Sequence, residues 1–88
     1  MERRLHSVHF VVIKGAGVSA LAQYCKDLGL TVSGSDVGEV FPTDAALARA
    51  GITPMIGFRG SHVRSHPDVV VYSAAFDEEN PEIRFARQ

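Results

Sequence analysis

Eighty-eight residues, 45% of them hydrophobic, suffice for one small domain near the lower limit at which a chain builds its own core. Nine basic against ten acidic side chains leave a formal charge of -1, which excludes the basic footprint of a nucleic-acid or anionic-membrane binder. The single cysteine, Cys25, excludes an internal disulfide framework, and no apolar run reaches the roughly 20 residues of a membrane span, so a cytoplasmic protein is expected.

Val8 to Ile13 is rich in β-branched and aromatic residues and nearly continuous in apolar character, the pattern of a central strand covered on both faces. It follows Arg3 and Arg4 but closes at once on Lys14, unlike the long apolar core of a signal peptide. Gly15 and Gly17 end the strand, and Val18, Leu21, Ala22, Cys25 and Leu28 then recur at helical spacing until Gly29. Leu30 to Ser35 reads as a second strand. Thr43 caps a helix carrying Ala46, Leu47 and Ala50, which Gly51 stops. Ile52 to Ile56 is the third strand, Gly57 to Pro67 a polar, turn-rich connection with room for one helical turn, and Asp68 to Tyr72 a fourth buried strand. Asn80 and Pro81 open a last helix, Asn as cap and Pro at the first helical position.

Strands alternating with helices predict a parallel sheet, hence a single small α/β domain of Rossmann-like, doubly wound type. Ligands of such sheets bind beyond the carboxyl ends of the strands, so the segments after Ile13, Ser35, Ile56 and Tyr72 share the functional edge. The chain stops at Gln88 inside the last predicted helix with no strand to receive it, which reads as truncation.

Gly15-Ala16-Gly17-Val18-Ser19-Ala20 matches G-x-G-x-x-G/A directly after a strand and at the opening of a helix. Glycines there permit a tight turn and close approach of a diphosphate, whose charge meets the unpaired N–H groups of the helix start. The bland alternative is a tight turn alone. Asp36, 21 residues after Gly15, ends the second strand where an acidic residue can accept ribose hydroxyls, or is a solvated turn residue. Ser73 and Ala74 leave the fourth strand at the same edge. Phe58 can set a ring beside a base or sugar but reads better as a packing residue.

His6, His9, His62 and His66 form no metal pattern and read as surface or core residues. Cys25 is a small buried hydrophobe. Asp77-Glu78-Glu79 is a solvated run suited to a helix start rather than a metal cluster. G-x-x-x-x-G-K-[ST] is absent, as is any Ser/His/Asp arrangement, so the chain alone is expected not to catalyse.

His9-Phe10-Val11, Lys14 to Ala22, Val32 to Asp36, Val69 to Ala75 and Glu79 to Ile83 together resemble the opening signature of the Mur ligases, from about His6 to Ile83. The resemblance implies the N-terminal, UDP-sugar-binding domain of a three-domain enzyme whose central ATPase and C-terminal domains lie outside this chain. The member most similar would use ATP and magnesium to phosphorylate the lactyl carboxylate of UDP-N-acetylmuramate, which the amine of L-alanine then attacks, in peptidoglycan precursor synthesis. Gly15, Ala16, Gly17, Val18 and Ser19 would cradle the diphosphate, and Asp36, Ser73 and Ala74 would meet the uridine or sugar. No cofactor is implied in this chain itself, and its partners would be UDP-N-acetylmuramate and the remaining ligase domains. Val40-Phe41-Pro42 is similar to the related ligase that recycles murein tripeptide onto the same UDP-sugar. Two readings from other classes stay open: an NAD-binding oxidoreductase domain, which shares the glycine loop and Asp36, and a free-standing nucleotide-sensing module.

Overall fold

The computed structural model describes residues 5–73 and 79–88. Four strands, β1 (Ser7–Val11), β2 (Thr31–Asp36), β3 (Met55–Ile56) and β4 (Val69–Val71), form one parallel sheet in the order β3-β2-β1-β4. Between them run α1 (Ala16–Asp27), α2 (Thr43–Arg49) and a short 3-10 turn (Gly60–Val63), and α3 (Pro81–Ala86) follows. The predicted α/β class and parallel sheet are observed.

Alternation along the two central strands gives the sheet two unlike faces. Val8 and Phe10 belong to a core with Ile13, Ala22 of α1, and Leu47 and Ile52 around α2. Val32 and Gly34 stand opposite Val8 and Phe10 in register and continue that face. The other face carries His9, Ser33 and Ser35, with Val11 between them, and looks toward the 3-10 turn and α3, which pack on each other. One side is thus an ordinary apolar layer and the other is polar.

Several predicted bounds move. β1 stops at Val11 because Val12 adopts a left-handed φ of 61°, which turns the chain and tucks Ile13 beneath the sheet. β3 shrinks to two residues: Pro54 has no N–H to give the ladder, and Ile52 is drawn into the core beside α2. Of the predicted apolar stripe of α1, Ala22 is fully buried and Val18 and Cys25 pack partly against the core, whereas Leu21 and Leu28 remain 43% and 61% exposed. A stripe narrower than the apolar residues available is enough for one helix on a small sheet. Thr43 is the first helical residue rather than the cap, and its hydroxyl donates instead to the Lys14 carbonyl (2.6 Å). Gly29 and Gly51, at φ of 89° and 78°, follow α1 and α2 as expected. Asn80 caps α3, its side chain accepting from the Glu82 amide at 2.9 Å. No helix of the described residues is long and apolar enough to cross a membrane.

Candidate functional site at the glycine loop

The turn from β1 into α1 is built from the backbone outward. The Gly15 amide donates to the Val12 carbonyl (3.1 Å) and the Ser19 amide to the Gly15 carbonyl (2.7 Å), closing the first helical turn on Gly15 as its cap. No side chain caps this helix and no acidic residue occupies its first turn. The first N–H groups of α1 therefore keep their partial positive charge facing the carboxyl edge of the sheet.

Asp36, at the end of β2, holds this loop. One carboxylate oxygen accepts the Lys14 amide at 2.8 Å and the other accepts the Val37 amide at 2.7 Å, and the residue is only 3% exposed. The sequence suggests a carboxylate facing ribose hydroxyls. In the structure it faces backbone amides, a short polar bridge between the ends of β1 and β2.

Beside the loop lies a cavity of about 500 Å³, walled by Val12, Gly15, Ala16 and Asp36 on one side and by Phe41 and Pro42 on the other. Its lining is mostly apolar around a few polar groups, as small-molecule sites are. A second cavity, of about 270 Å³ between Val63, Val70 and Phe85, lies on the other side of β4, away from the glycine loop. Of the sequence-predicted site residues, Gly15, Ala16 and Asp36 meet at the larger cavity. Gly17 lies exposed on the first turn, and a Cβ added there would meet no atom within 4 Å. Val18 is turned partly into the core. Ser19 is buried, its hydroxyl accepting from Gln23 Nε2 at 3.1 Å. Ser73 follows β4 two residues after Val71, the partner of Phe10, and so stands at the same edge. Ala74, Asp77 and Glu78 lie outside the described residues.

Val12 carries strain at this site. A β-branched residue in the left-handed region costs about 1–2 kcal/mol, against the roughly 0.5–1 kcal/mol by which glycine favours the unfolded chain. Val12→Gly is expected to raise stability by about 0.5–1 kcal/mol on that balance, read as a higher urea midpoint at unchanged slope. A lower midpoint would mean that the Val12 side chain contributes more by packing than its backbone costs.

A polar cluster on the opposite face escaped sequence reasoning. Glu82, in the first turn of α3, is fully buried and meets His9 Nε2 at 2.6 Å and His62 Nδ1 at 2.7 Å, and it accepts the Arg59 amide at 3.1 Å. His9 Nδ1 lies 2.8 Å from the Ser33 hydroxyl, and His62 Nδ1 lies 2.9 Å from that of Ser35. Burial pushes the Glu82 carboxyl up, but hydrogen bonds from His9, Ser35, His62 and the Arg59 amide outweigh it and hold the group below the usual glutamate value. An ionised Glu82 only accepts, so His9 Nε2 donates to it. The available signal was His9 itself, a polar ring in a strand otherwise read as buried, which demands partners.

Comparison with known proteins agrees with this architecture. The chain is 49% identical over 82 residues to the UDP-N-acetylmuramate–L-alanine ligase of Desulfitobacterium hafniense (strain Y51), covering 92% of this chain and 18% of that protein. It is 47% identical over 77 residues to the ligase of the same name from Treponema pallidum (strain Nichols), covering 86% of this chain and 16% of the relative. The crystal structure of a murein peptide ligase from Psychrobacter arcticus 273-4 superposes with a TM-score of 0.81 at 31% identity, over 91% of this chain and 17% of that one. The chain thus spans only a small part of the proteins it matches. Residues 7–88 match the family model described as Mur ligase family, catalytic domain, and with these relatives they show that the chain belongs to the Mur ligase family.

Proposed function

We propose that this chain is the UDP-sugar-binding N-terminal domain of a cytoplasmic, ATP-dependent ligase that joins L-alanine to UDP-N-acetylmuramate in peptidoglycan precursor synthesis. The observation that carries the reading is the uncapped N-terminus of α1 beside a largely apolar cavity, in a chain of this family. A diphosphate at Gly15 to Ser19 would face the amides between Gly15 and Ser19 that open α1, and its charge would be stabilised by the positive end of the helix dipole. Asp36 acts through the loop, by fixing the Lys14 amide, while Ser73 and Ala74 would meet the uridine or sugar, as the family resemblance implies. The higher identity to L-alanine ligases favours that amino acid over the tripeptide of the recycling enzyme. ATP and magnesium belong to the rest of the full-length enzyme: this chain offers no phosphate loop for them. Its own contribution is to bind and orient.

The NAD reading fits less well. A dinucleotide site needs the carboxylate after the second strand open to ribose, whereas Asp36 is buried with both oxygens on amides. Calorimetric titration with UDP-N-acetylmuramate and with NADH separates the two, and tighter binding of NADH would overturn the proposal.

Gly17→Val tests the loop. The fold has open space at this position, and valine is no worse a helix former than glycine. Affinity for UDP-N-acetylmuramate is expected to fall about tenfold, or about 1.4 kcal/mol, with the melting temperature nearly unchanged. Undiminished affinity would remove the glycine loop from the site.

A further inference from the structure

The segment between β2 and α2, residues 37–42, forms the far wall of the glycine-loop cavity through Phe41 and Pro42. It lies outside every strand and helix and buries little of its own apolar surface: Val40 is 88% exposed and Val37 is also exposed. Its ties across the cavity converge on one residue of the opposite wall. Lys14 is buried, and its ammonium donates to the Glu39 carbonyl at 2.7 Å, pairs with the Asp44 carboxylate at 3.2 Å and lies 5.6 Å from the centre of the Phe41 ring. The Lys14 carbonyl accepts the Thr43 hydroxyl, and Asp44 in turn accepts the Phe41 amide at 3.2 Å. We propose that Lys14 is a positioning residue: its side chain bridges the two walls, so that the Phe41–Pro42 wall stands in place before a ligand enters.

The chemistry suits the task. An ammonium on a flexible four-carbon stem can reach across a loop, and in a site shielded from water it is retained only if its donors are satisfied. Here a carbonyl, a carboxylate and an aromatic face supply those partners, all within residues 39–44. Removing the ammonium frees the segment, and a ligand must then order it on binding, which weakens affinity.

The ligand half of the test rests on the nucleotide reading above, and the exchange half does not. Wild type, Lys14→Met, Lys14→Arg and Asp44→Asn, each as the full 88-residue chain, would be followed by amide hydrogen exchange and titrated with UDP. In Lys14→Met the Phe41 and Asp44 amides are expected to exchange at least about tenfold faster while those of β1 and α1 keep their rates, and affinity for UDP is expected to fall about tenfold. Saturating UDP should restore protection, and Lys14→Arg should recover part of both losses. Asp44→Asn, which removes the counter-charge but keeps an acceptor for Phe41, should show the same pattern more weakly and decides the matter if Lys14→Met fails to fold. Unchanged exchange at Phe41 and Asp44, or acceleration spread evenly over the domain, would overturn the proposal. A wild-type chain that does not bind UDP would instead sink the nucleotide reading, leaving the exchange rates to judge Lys14.

Discussion

Glu82→Ala is expected to destabilise the domain by about 3–5 kcal/mol, because it removes the common acceptor of a buried cluster and leaves its donors without water to replace it. His9, His62 and the Arg59 amide all converge on this carboxylate, and they come from β1, the 3-10 turn and the segment before it. For a domain of this size the loss corresponds to a drop in melting temperature of at least about 12 °C. Glu82→Gln keeps the volume and one acceptor and should lose about 1–2 kcal/mol. The gap between wild type and Glu82→Gln should also depend on pH. The folded carboxyl titrates below its ordinary value, so its contribution is complete above the unfolded glutamate value of about 4.3 and drains as pH falls through the lowered one. Urea titrations of both proteins at about pH 7 and about pH 3, on either side of that value, should show the gap narrowing in acid. A gap that is constant or wider in acid would mean that Glu82 is held in its protonated form.

The second large effect is expected at Gly34. A methyl group there would stand 2.8 Å from Ile13 Cβ and 3.0 Å from its Cγ1, and closer still to Cδ1. The Cδ1 end could swing away, but Cβ moves only with the backbone, which is fixed by the Ile13 amide on the Ser35 carbonyl at 3.1 Å. Gly34→Ala should therefore cost about 3 kcal/mol, the upper range for overpacking. It should also weaken ligand binding, since Ile13 leads directly into Lys14 and Gly15. The double variant Ile13→Ala/Gly34→Ala relieves the overlap with Cγ1 and Cδ1, though not with Cβ, and should recover part of the loss, being more stable than the sum of the single losses predicts. Strict additivity of the three unfolding free energies would show that the two residues do not share the space.

Much of this architecture is legible in the order of residues. The continuous apolar run at β1, the glycines at 15 and 17 and the Asn80-Pro81 pair are local signals, each acting over a few residues, and the structure follows them. Thr43 was misplaced because a cap and a first-turn residue differ only by where the hydroxyl finds an acceptor, here a carbonyl 29 residues away. Leu21 and Leu28 satisfy a helical period but not the width of the sheet beneath them, a tertiary quantity. The orientation of Asp36 was hidden because nothing in sequence distinguishes a carboxylate that meets a ligand from one that meets the amides of its own loop. The His9–Glu82 contact spans 73 residues and carries no motif.

That separation bears on how the domain comes into being. During synthesis β1 emerges before β2 and can pair with it early, but its other neighbour, β4, follows much later and the acceptor for His9 comes 73 residues after it. A nascent chain that has exposed everything up to Tyr72 still has a histidine in its central strand without its carboxylate partner, and a sheet face covered only by the 3-10 turn. Assembly of this half of the sheet must wait until Glu82 has cleared the ribosome, so the domain is expected to lock in one late step rather than grow strand by strand.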